Sequence, residues 1–235
     1  MLLEKMLQSQ GFGSRKHCQQ LIKNGAVSIQ GELIDNPKHK LNLQDLTFSV
    51  YGHEYRYREK VYIALNKPQD YECSHQATHH FSVFDLFDDI LLNRGIQCVG
   101  RLDQDTTGLL LLTDDGQFLQ ALTHPKKHVA KVYQMTTADP VTDEQIQQLE
   151  QGVELRNEKG TFAATDIVRL DENRLQMTIH QGVYHQVKRM LAAVGNKVEQ
   201  LHRAQIGALA LNELAIGEWT YLDAEQVAQA KFRTE

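Results

Sequence analysis

The chain has 235 residues, of which 41% are hydrophobic and 23% are charged, a composition that suits one large core and a small additional domain. Its apolar runs, such as Leu109 to Leu112, are far too short to cross a bilayer, and its first residues lack the apolar segment of a signal peptide. The three cysteines form no CxxC pair, which argues against a disulfide framework and a cysteine-rich zinc site. We therefore expect a cytoplasmic protein without membrane association.

The net charge of -5 is distributed unevenly along the chain. Residues 1–60 carry nine Lys or Arg and six Asp or Glu, so this part is basic while the remainder is acidic. A basic module on an acidic body can bind phosphate, because the local potential governs the contact. Charge alone leaves a second interpretation open, in which solvated side chains are segregated by chance.

The first part of the chain predicts a helix followed by a β-hairpin. Ser14 can cap the helix, and Asn24-Gly25 can end it, with the glycine in a left-handed conformation. A turn at Gln30-Gly31 then separates two short apolar segments. The residues of the apolar face of the helix recur at helical spacing: Cys18, Leu21 and Ile22.

A polar, charged stretch at residues 51–60 is interpreted as a linker, which predicts a small domain over residues 1–58 and a larger one over 59–235. The larger domain has an α+β pattern, with a mixed, mainly antiparallel sheet and flanking helices. Strands are predicted at residues 61–65, 97–102, 109–113, 129–136, 161–170 and 174–180. Helices are predicted at residues 82–87, 117–123, 142–150, 185–194 and 224–231.

The most informative segment runs from Gly100 to Leu109, where a strand ends in a polar turn and an apolar strand follows. Asp103 would lie at the mouth of the sheet with Arg101 on the same side, and a carboxylate kept ionised by a guanidinium can be a nucleophile. A strand-end ion pair is the plainer alternative. Asp103 and Asp105 could also form an acid–base pair, although they are too close for an inverting glycosidase.

The same segment resembles the signature of pseudouridine synthases of the RsuA type, and further matches follow in the family's order over nearly the whole chain. The signature reads Gly100-Arg101-Leu102-Asp103-x-Asp105-Thr106-x-Gly108-Leu109. The further matches are Leu65-Asn66-Lys67-Pro68, Leu111-Leu112-Thr113-Asp114-Asp115-Gly116, Lys131-Val132-Tyr133, Tyr184-His185-Gln186-Val187-Lys188-Arg189-Met190 and Ala193-Val194-Gly195-Asn196. Val183 departs from the pattern, because the family often has an arginine there.

Residues 1–45 resemble the small RNA-binding domain that is named after a small-subunit ribosomal protein. Ser14-Arg15 and the hairpin around Gly31 fit this domain, whereas Leu2 stands where the family usually has a basic residue. The resemblance therefore implies an N-terminal RNA-binding domain followed by a pseudouridine synthase catalytic domain.

The resemblance implies isomerisation of a specific uridine in 16S ribosomal RNA, without a cofactor or a metal. Asp103 would be the nucleophile, Tyr133 would stack on the base, and Lys188 would pair with Asp103 and keep it ionised. The target uridine would leave its stack to reach the site. The substrate-binding candidates are Arg101, Asn66, Lys67, Thr106, His185, Gln186, Arg189, Arg15 and Lys16. Lys126-Lys127-His128 is a candidate phosphate patch.

Other interpretations concern both substrate and class. The enzyme could act on 23S ribosomal RNA, or the chain could be a non-catalytic ribosome-assembly factor that binds RNA. A hydrolase using Asp103 and Asp105 is a third class. The expected partner is small-subunit ribosomal RNA, free or partly assembled with protein, and the chain is expected to be a monomer. The histidines at positions 75, 79 and 80 are not interpreted as a zinc site, because no further ligand cluster accompanies them.

Overall fold

In a computed structural model of the chain, residues 1–124 and 127–233 are described, and they form two compact units. The first unit contains Met1–Val61 together with Phe87–Gln97. The second contains Tyr62–Leu86 and the described residues from Cys98 onward. The first unit is therefore not one continuous stretch, because a segment from the middle of the chain packs within it.

The first unit contains two N-terminal helices and a four-stranded antiparallel sheet of order β2-β1-β3-β4. Its elements are α1 (Leu3–Ser9), α2 (Arg15–Lys23), β1 (Val27–Ile29), β2 (Glu32–Leu33), β3 (Thr47–Val50) and β4 (His53–Arg56), with α3 (Asp89–Asn93) from the middle segment. The Ser14 hydroxyl accepts a hydrogen bond from the His17 backbone, which caps α2. The predicted helix and hairpin are confirmed, with Gln30 and Gly31 at positive φ in the turn.

The linker interpretation of residues 51–60 is wrong for its first half. Tyr51 and Gly52, at φ 51° and 80°, form a tight turn, and β4 then pairs with β3. Three of the four residues in β4 are exposed, so the strand has the polar composition of a linker although its backbone is paired.

The second unit is built on a large sheet whose main path is β13-β14-β10-β15-β9-β5-β17, with β16 on β15 and β8 on β9. Its strands are β5 (Tyr62–Lys67), β6 (Tyr71–Glu72), β7 (Phe81–Ser82), β8 (Gln97–Val99), β9 (Thr106–Thr113), β10 (Lys131–Thr137), β11 (Val153–Glu154), β12 (Thr161–Phe162), β13 (Thr165–Asp171), β14 (Arg174–Ile179), β15 (Val198–Ile206), β16 (Leu209–Ala210) and β17 (Trp219–Tyr221). Its helices are a 3-10 helix (Val83–Leu86), α4 (Gly116–Thr123), α5 (Asp143–Gln151), α6 (Gln186–Ala193) and α7 (Ala224–Ala230).

Along this path every pair is antiparallel except β15 with β9, which is parallel. The expected α+β class with a mixed, mainly antiparallel sheet is confirmed. Leu109 to Leu112 of β9 are fully buried, and a strand covered on both faces has a continuous apolar sequence. Among the described residues, no helix is long and apolar enough to span a bilayer.

Strand β15 is the longest in the chain, yet the sequence does not predict it. Its inward positions include Leu201, Arg203 and Ile206, all of which are buried. A charged residue at a core position interrupts the apolar alternation by which a strand is recognised. Arg203 is therefore the residue that prevents prediction of this strand, and it is also the buried charged residue of the strand.

Gly108 allows β9 and β15 to come together, since its Cα is paired with that of Arg203. Its φ is +102°, and a Cβ at this position would lie 2.4 Å from the Arg203 carbonyl oxygen. Neither backbone can move without breaking the ladder, so the position requires glycine.

Gly108→Ala should lower the free energy of unfolding by about 2–4 kcal/mol, because it adds a backbone clash and a strained φ. Urea denaturation measures the change. Gly116→Ala is the matched control, since Gly116 has no heavy atom within 4 Å of an added Cβ, and its stability should change by less than about 1 kcal/mol. Equal stabilities of the two variants would contradict the proposed need for close approach.

Candidate active site

A cleft of about 560 Å³ opens within the second unit and contains all three residues expected to carry the chemistry, Asp103, Tyr133 and Lys188. Asp103 comes from the turn that precedes β9, Tyr133 from β10, and Lys188 from α6. The loop that precedes α6 and the strand β15 complete the walls. Segments that are distant in sequence are thus joined at one end of the parallel β9–β15 pair.

The Asp103 carboxylate faces the cleft between two basic side chains. One of its oxygens lies 3.1 Å from His185 Nε2, and the other lies 3.4 Å from Lys188 Nζ. The side chain is 29% exposed, so a substrate can reach it. A carboxylate in this position can act as a nucleophile on a bound substrate.

Lys188 has a closer partner than the one that the sequence implied. Its Nζ lies 2.6 Å and 2.8 Å from the two carboxylate oxygens of Asp105, and 3.4 Å from Asp103. The expected ion pair with Asp103 is present and Asp105 is a second, closer partner, so one ammonium bridges two carboxylates and Asp105 holds it in place. The signature contains both acids, but spacing does not show that they share a cation.

Tyr133 is a buried wall residue of the cleft, and behind it lies Arg203, which sequence reasoning missed. Arg203 is 2% exposed, donates from Nε to the Leu109 carbonyl at 2.8 Å, and places Nη1 3.4 Å from the Tyr133 hydroxyl. Its Nη2 has no hydrogen-bond partner, and no carboxylate among the described residues pairs with it. A buried guanidinium without a counter-charge projects a positive field into the cleft.

Lys131 adds a second cation to the same wall. Its Nζ donates to the Val129 carbonyl at 2.9 Å, and burial, together with the charge of Arg203, lowers the pKa of Lys131 to about 8. Two neighbouring cations in one wall are stabilised when an anion or a developing negative charge enters. This wall suits a substrate whose bond cleavage leaves negative charge on a ring.

Asn66 and Lys67 do not face the cleft, so their expected contacts with substrate are not supported by this placement. Lys67 is fully buried, and its Nζ donates to the carbonyls of Pro68, Gln104 and Thr106 at 3.0, 3.1 and 2.8 Å. Burial lowers the pKa of Lys67 to about 8. Lys67 fixes the turn that carries Asp103, and Asn66 ties its strand to the Leu214 carbonyl at 2.8 Å.

The other cleft candidates have different roles. Arg101 is exposed and lines the cleft, whereas Thr106 is buried with a hydroxyl that has no partner among the described residues. Gln186 is buried and accepts from the Val183 backbone at 3.3 Å. Arg189 does not line the cleft; it pairs with Glu158 at 3.1 Å.

The remaining candidates lie elsewhere. Arg15 and Lys16 are exposed residues of the first unit, and Arg15 pairs with the buried Glu4. His128 lines the cleft and Lys127 is exposed, while Lys126 lies outside the described residues. The structure thus brings the core of the predicted site together and leaves its RNA-facing periphery spread over the surface.

Comparison with known proteins gives the family that the sequence motifs resemble. Residues 61–193 match the family model of RNA pseudouridylate synthases, and residues 1–46 match the S4 domain. The chain belongs to the RNA pseudouridylate synthase family. A ribosomal small subunit pseudouridine synthase A from Vibrio vulnificus (strain CMCP6) is 40% identical over 230 residues, covering 97% of this chain and 98% of that protein.

Two further relatives agree. The ribosomal small subunit pseudouridine synthase A of Escherichia coli (strain K12) is 38% identical over 230 residues, covering 97% of this chain and 99% of its own. A crystal structure of a pseudouridylate synthase is 36% identical, with a TM-score of 0.69, and covers 98% of this chain and 99% of its own. The expected family and enzyme class, an isomerase that converts uridine in RNA to pseudouridine, are confirmed.

Lys67→Met should lower the free energy of unfolding by about 2–4 kcal/mol, because three carbonyls lose their shared donor. It should also slow isomerisation, since two of those carbonyls belong to the turn that positions Asp103. Urea denaturation and tritium release from [5-³H]uridine-labelled RNA measure the two effects. Lys159→Met, at an exposed position, is the control and should alter neither. Unchanged stability in Lys67→Met would contradict the role of Lys67 in fixing the turn that carries Asp103.

Arg203→Met should slow the chemical step about 10²–10³-fold, the usual loss when a group that stabilises developing charge is removed. The rate of Arg203→Lys should lie between the rates of this variant and of the wild type, because lysine keeps the positive charge but lacks the planar guanidinium. Single-turnover tritium release gives the rate, and thermal unfolding shows that the variants are folded. The control is Arg169→Met, which removes an exposed guanidinium of the same sheet. A loss below threefold in a folded Arg203→Met protein would rule out the electrostatic role.

Proposed function

We propose that the chain converts a specific uridine of small-subunit (16S) ribosomal RNA to pseudouridine, with Asp103 as the nucleophile. One observation carries this proposal: the Asp103 carboxylate opens onto the cleft between His185 and Lys188, and Tyr133 lines the same cleft. The small-subunit assignment rests on the relatives, which are named as ribosomal small subunit enzymes.

The reaction moves uracil from a nitrogen link to a carbon link. The N1–C1′ bond breaks, the C5–C1′ bond forms, N1 gains a proton and C5 loses one, so nothing is oxidised or reduced. The Asp103 carboxylate begins this sequence by acting on the ribose or on the base. An ionised carboxylate that forms a covalent intermediate divides one difficult step into two easier ones.

The surrounding groups support separate parts of the reaction. His185 and Lys188 contact the Asp103 carboxylate and orient it, and Asp105 keeps Lys188 in position. Tyr133 stacks on the flipped uracil, which compensates for part of the few kcal/mol that leaving the RNA stack costs. Arg203 and Lys131 stabilise the negative charge that uracil gains when its glycosidic bond breaks.

The first unit binds RNA through the exposed basic face of α2, where Arg15 and Lys16 lie. The domain division at residues 58 and 59 remains a prediction. The substrate is ribosomal RNA, free or in a partly assembled subunit, and we propose a cytoplasmic monomer as the acting form. The outcomes of one experiment separate this proposal from a 23S-specific enzyme, an assembly factor without catalysis and an Asp103–Asp105 hydrolase.

Asp103→Asn should abolish tritium release from [5-³H]uridine-labelled small-subunit RNA, at least 10³-fold below the wild type, while RNA binding changes less than threefold. Asp139→Asn, at an exposed acid outside the cleft, is the matched control and should be fully active. Normal turnover by Asp103→Asn would contradict the mechanism. Pseudouridine mapping in cells lacking the protein should show one pseudouridine missing from 16S RNA.

Release only from 23S RNA would move the substrate to the large subunit. No release from any ribosomal RNA by the wild type would favour the assembly factor, and free uracil in place of pseudouridine would favour the hydrolase. Each of these results contradicts the proposal in a different part.

A further inference from the structure

An unusually exposed aromatic ring lies at the rim of the catalytic cleft. Tyr184 is 72% exposed, more than any other Phe, Tyr or Trp among the described residues, and it lines the cleft. Single exposed apolar side chains are common on protein surfaces, so exposure alone assigns no role. The surroundings of Tyr184 are what distinguish it.

Tyr184 is held in place through both its side chain and its backbone. Its face stacks on the His185 imidazole, with centroids 3.7 Å apart and planes 18° apart. Its backbone carbonyl accepts a hydrogen bond from Arg189 Nη1 at 3.0 Å, and Arg189 is itself fixed by Glu158. His185 has φ 50°, in the left-handed region that residues other than glycine seldom adopt. The loop therefore fixes an exposed ring in advance, which reduces the entropy lost on binding.

The same stack leads directly to the nucleophile. His185 contacts Asp103 through Nε2 at 3.1 Å and contacts Tyr184 through its ring face. One face of Tyr184 is covered by His185, which leaves the other face available to a flat ligand. A group resting there would be separated from a uridine at Asp103 by the stacked rings of Tyr184 and His185.

We propose that Tyr184 is a stacking platform for the base of the nucleotide that adjoins the target uridine. This inference rests on the proposed function, in which the target flips into the cleft. The neighbouring base then loses a stacking partner, and the open face of Tyr184 replaces it. The target uracil itself belongs deeper, beside Tyr133, whose ring is buried in the cleft wall.

The rim also carries charge for the phosphates between these two nucleotides. Arg101 is exposed, lines the cleft and forms no ion pair among the described residues. Stacking on a tyrosine accepts any base, because every base has a π-face. Tyr184 thus supports flipping and affinity, while recognition of the site in the RNA comes from other contacts.

The test is a double-mutant cycle that combines a substitution at Tyr184 with the removal of one base from the RNA. The RNA is the small-subunit fragment around the mapped uridine, intact or with an abasic nucleotide on either side of the target. Kd is measured in the Asp103→Asn background, so that no RNA is converted. Tyr184→Ala should weaken binding of intact RNA about 5–100-fold. An abasic nucleotide at one of the two flanking positions should raise the Kd of the protein that has Tyr184 to a similar degree. The same abasic nucleotide should raise the Kd of Tyr184→Ala by less than threefold.

Tyr184→Phe and Tyr184→Trp should retain the coupling, because both rings can stack. Phe81→Ala removes another exposed aromatic ring of the same unit, outside the cleft, and should behave as the parent protein does. If the losses of affinity caused by Tyr184→Ala and by the abasic nucleotide multiply at both flanking positions, the proposed stacking site is wrong. The proposed function is tested separately by isomerisation of the intact RNA with wild-type Asp103, so the two failures are distinguishable.

Discussion

The close parallel pairing of β9 and β15 is the constraint on which the site depends. Gly108 lets the two backbones meet at Arg203, and this contact brings the turn that carries Asp103 beside the strand that carries the buried guanidinium. Lys67 fixes the same turn from the opposite side by binding its carbonyls. Asp103 is therefore set on rigid backbone, which suits its proposed role as nucleophile, because little reorganisation then accompanies the reaction.

Charge in the cleft is divided between two regions. Near the entrance, the Lys188 ammonium lies between the Asp103 and Asp105 carboxylates, so one positive charge is shared by two acidic groups. In the wall, Arg203 and Lys131 are cationic without a carboxylate partner among the described residues. A uracil between these regions would have the Asp103 carboxylate on one side and the cations of the wall on the other. This polarity suits the proposed reaction, in which uracil gains negative charge when its glycosidic bond breaks.

Much of the fold followed from local patterns. Ser14, Gly25 and Gln30-Gly31 have chemistry that determines a cap, a helix end and a turn, and the buried run of β9 is apolar throughout. The errors arose where local composition and tertiary environment disagree. Strand β4 is exposed and polar, so its sequence resembles that of a linker, and β15 contains a charged core residue that breaks its alternation.

The sequence by itself determined the family, because the order of motifs around Asp103 is carried by residue identity alone. It could not show which cation serves which carboxylate, since Lys188 is 83 residues from Asp105 along the chain. Only the tertiary structure placed Lys67 beneath the turn, Arg203 behind Tyr133 and Tyr184 at the rim. These roles depend on distances between separate elements, and such distances are set by packing of the whole unit rather than by any local pattern.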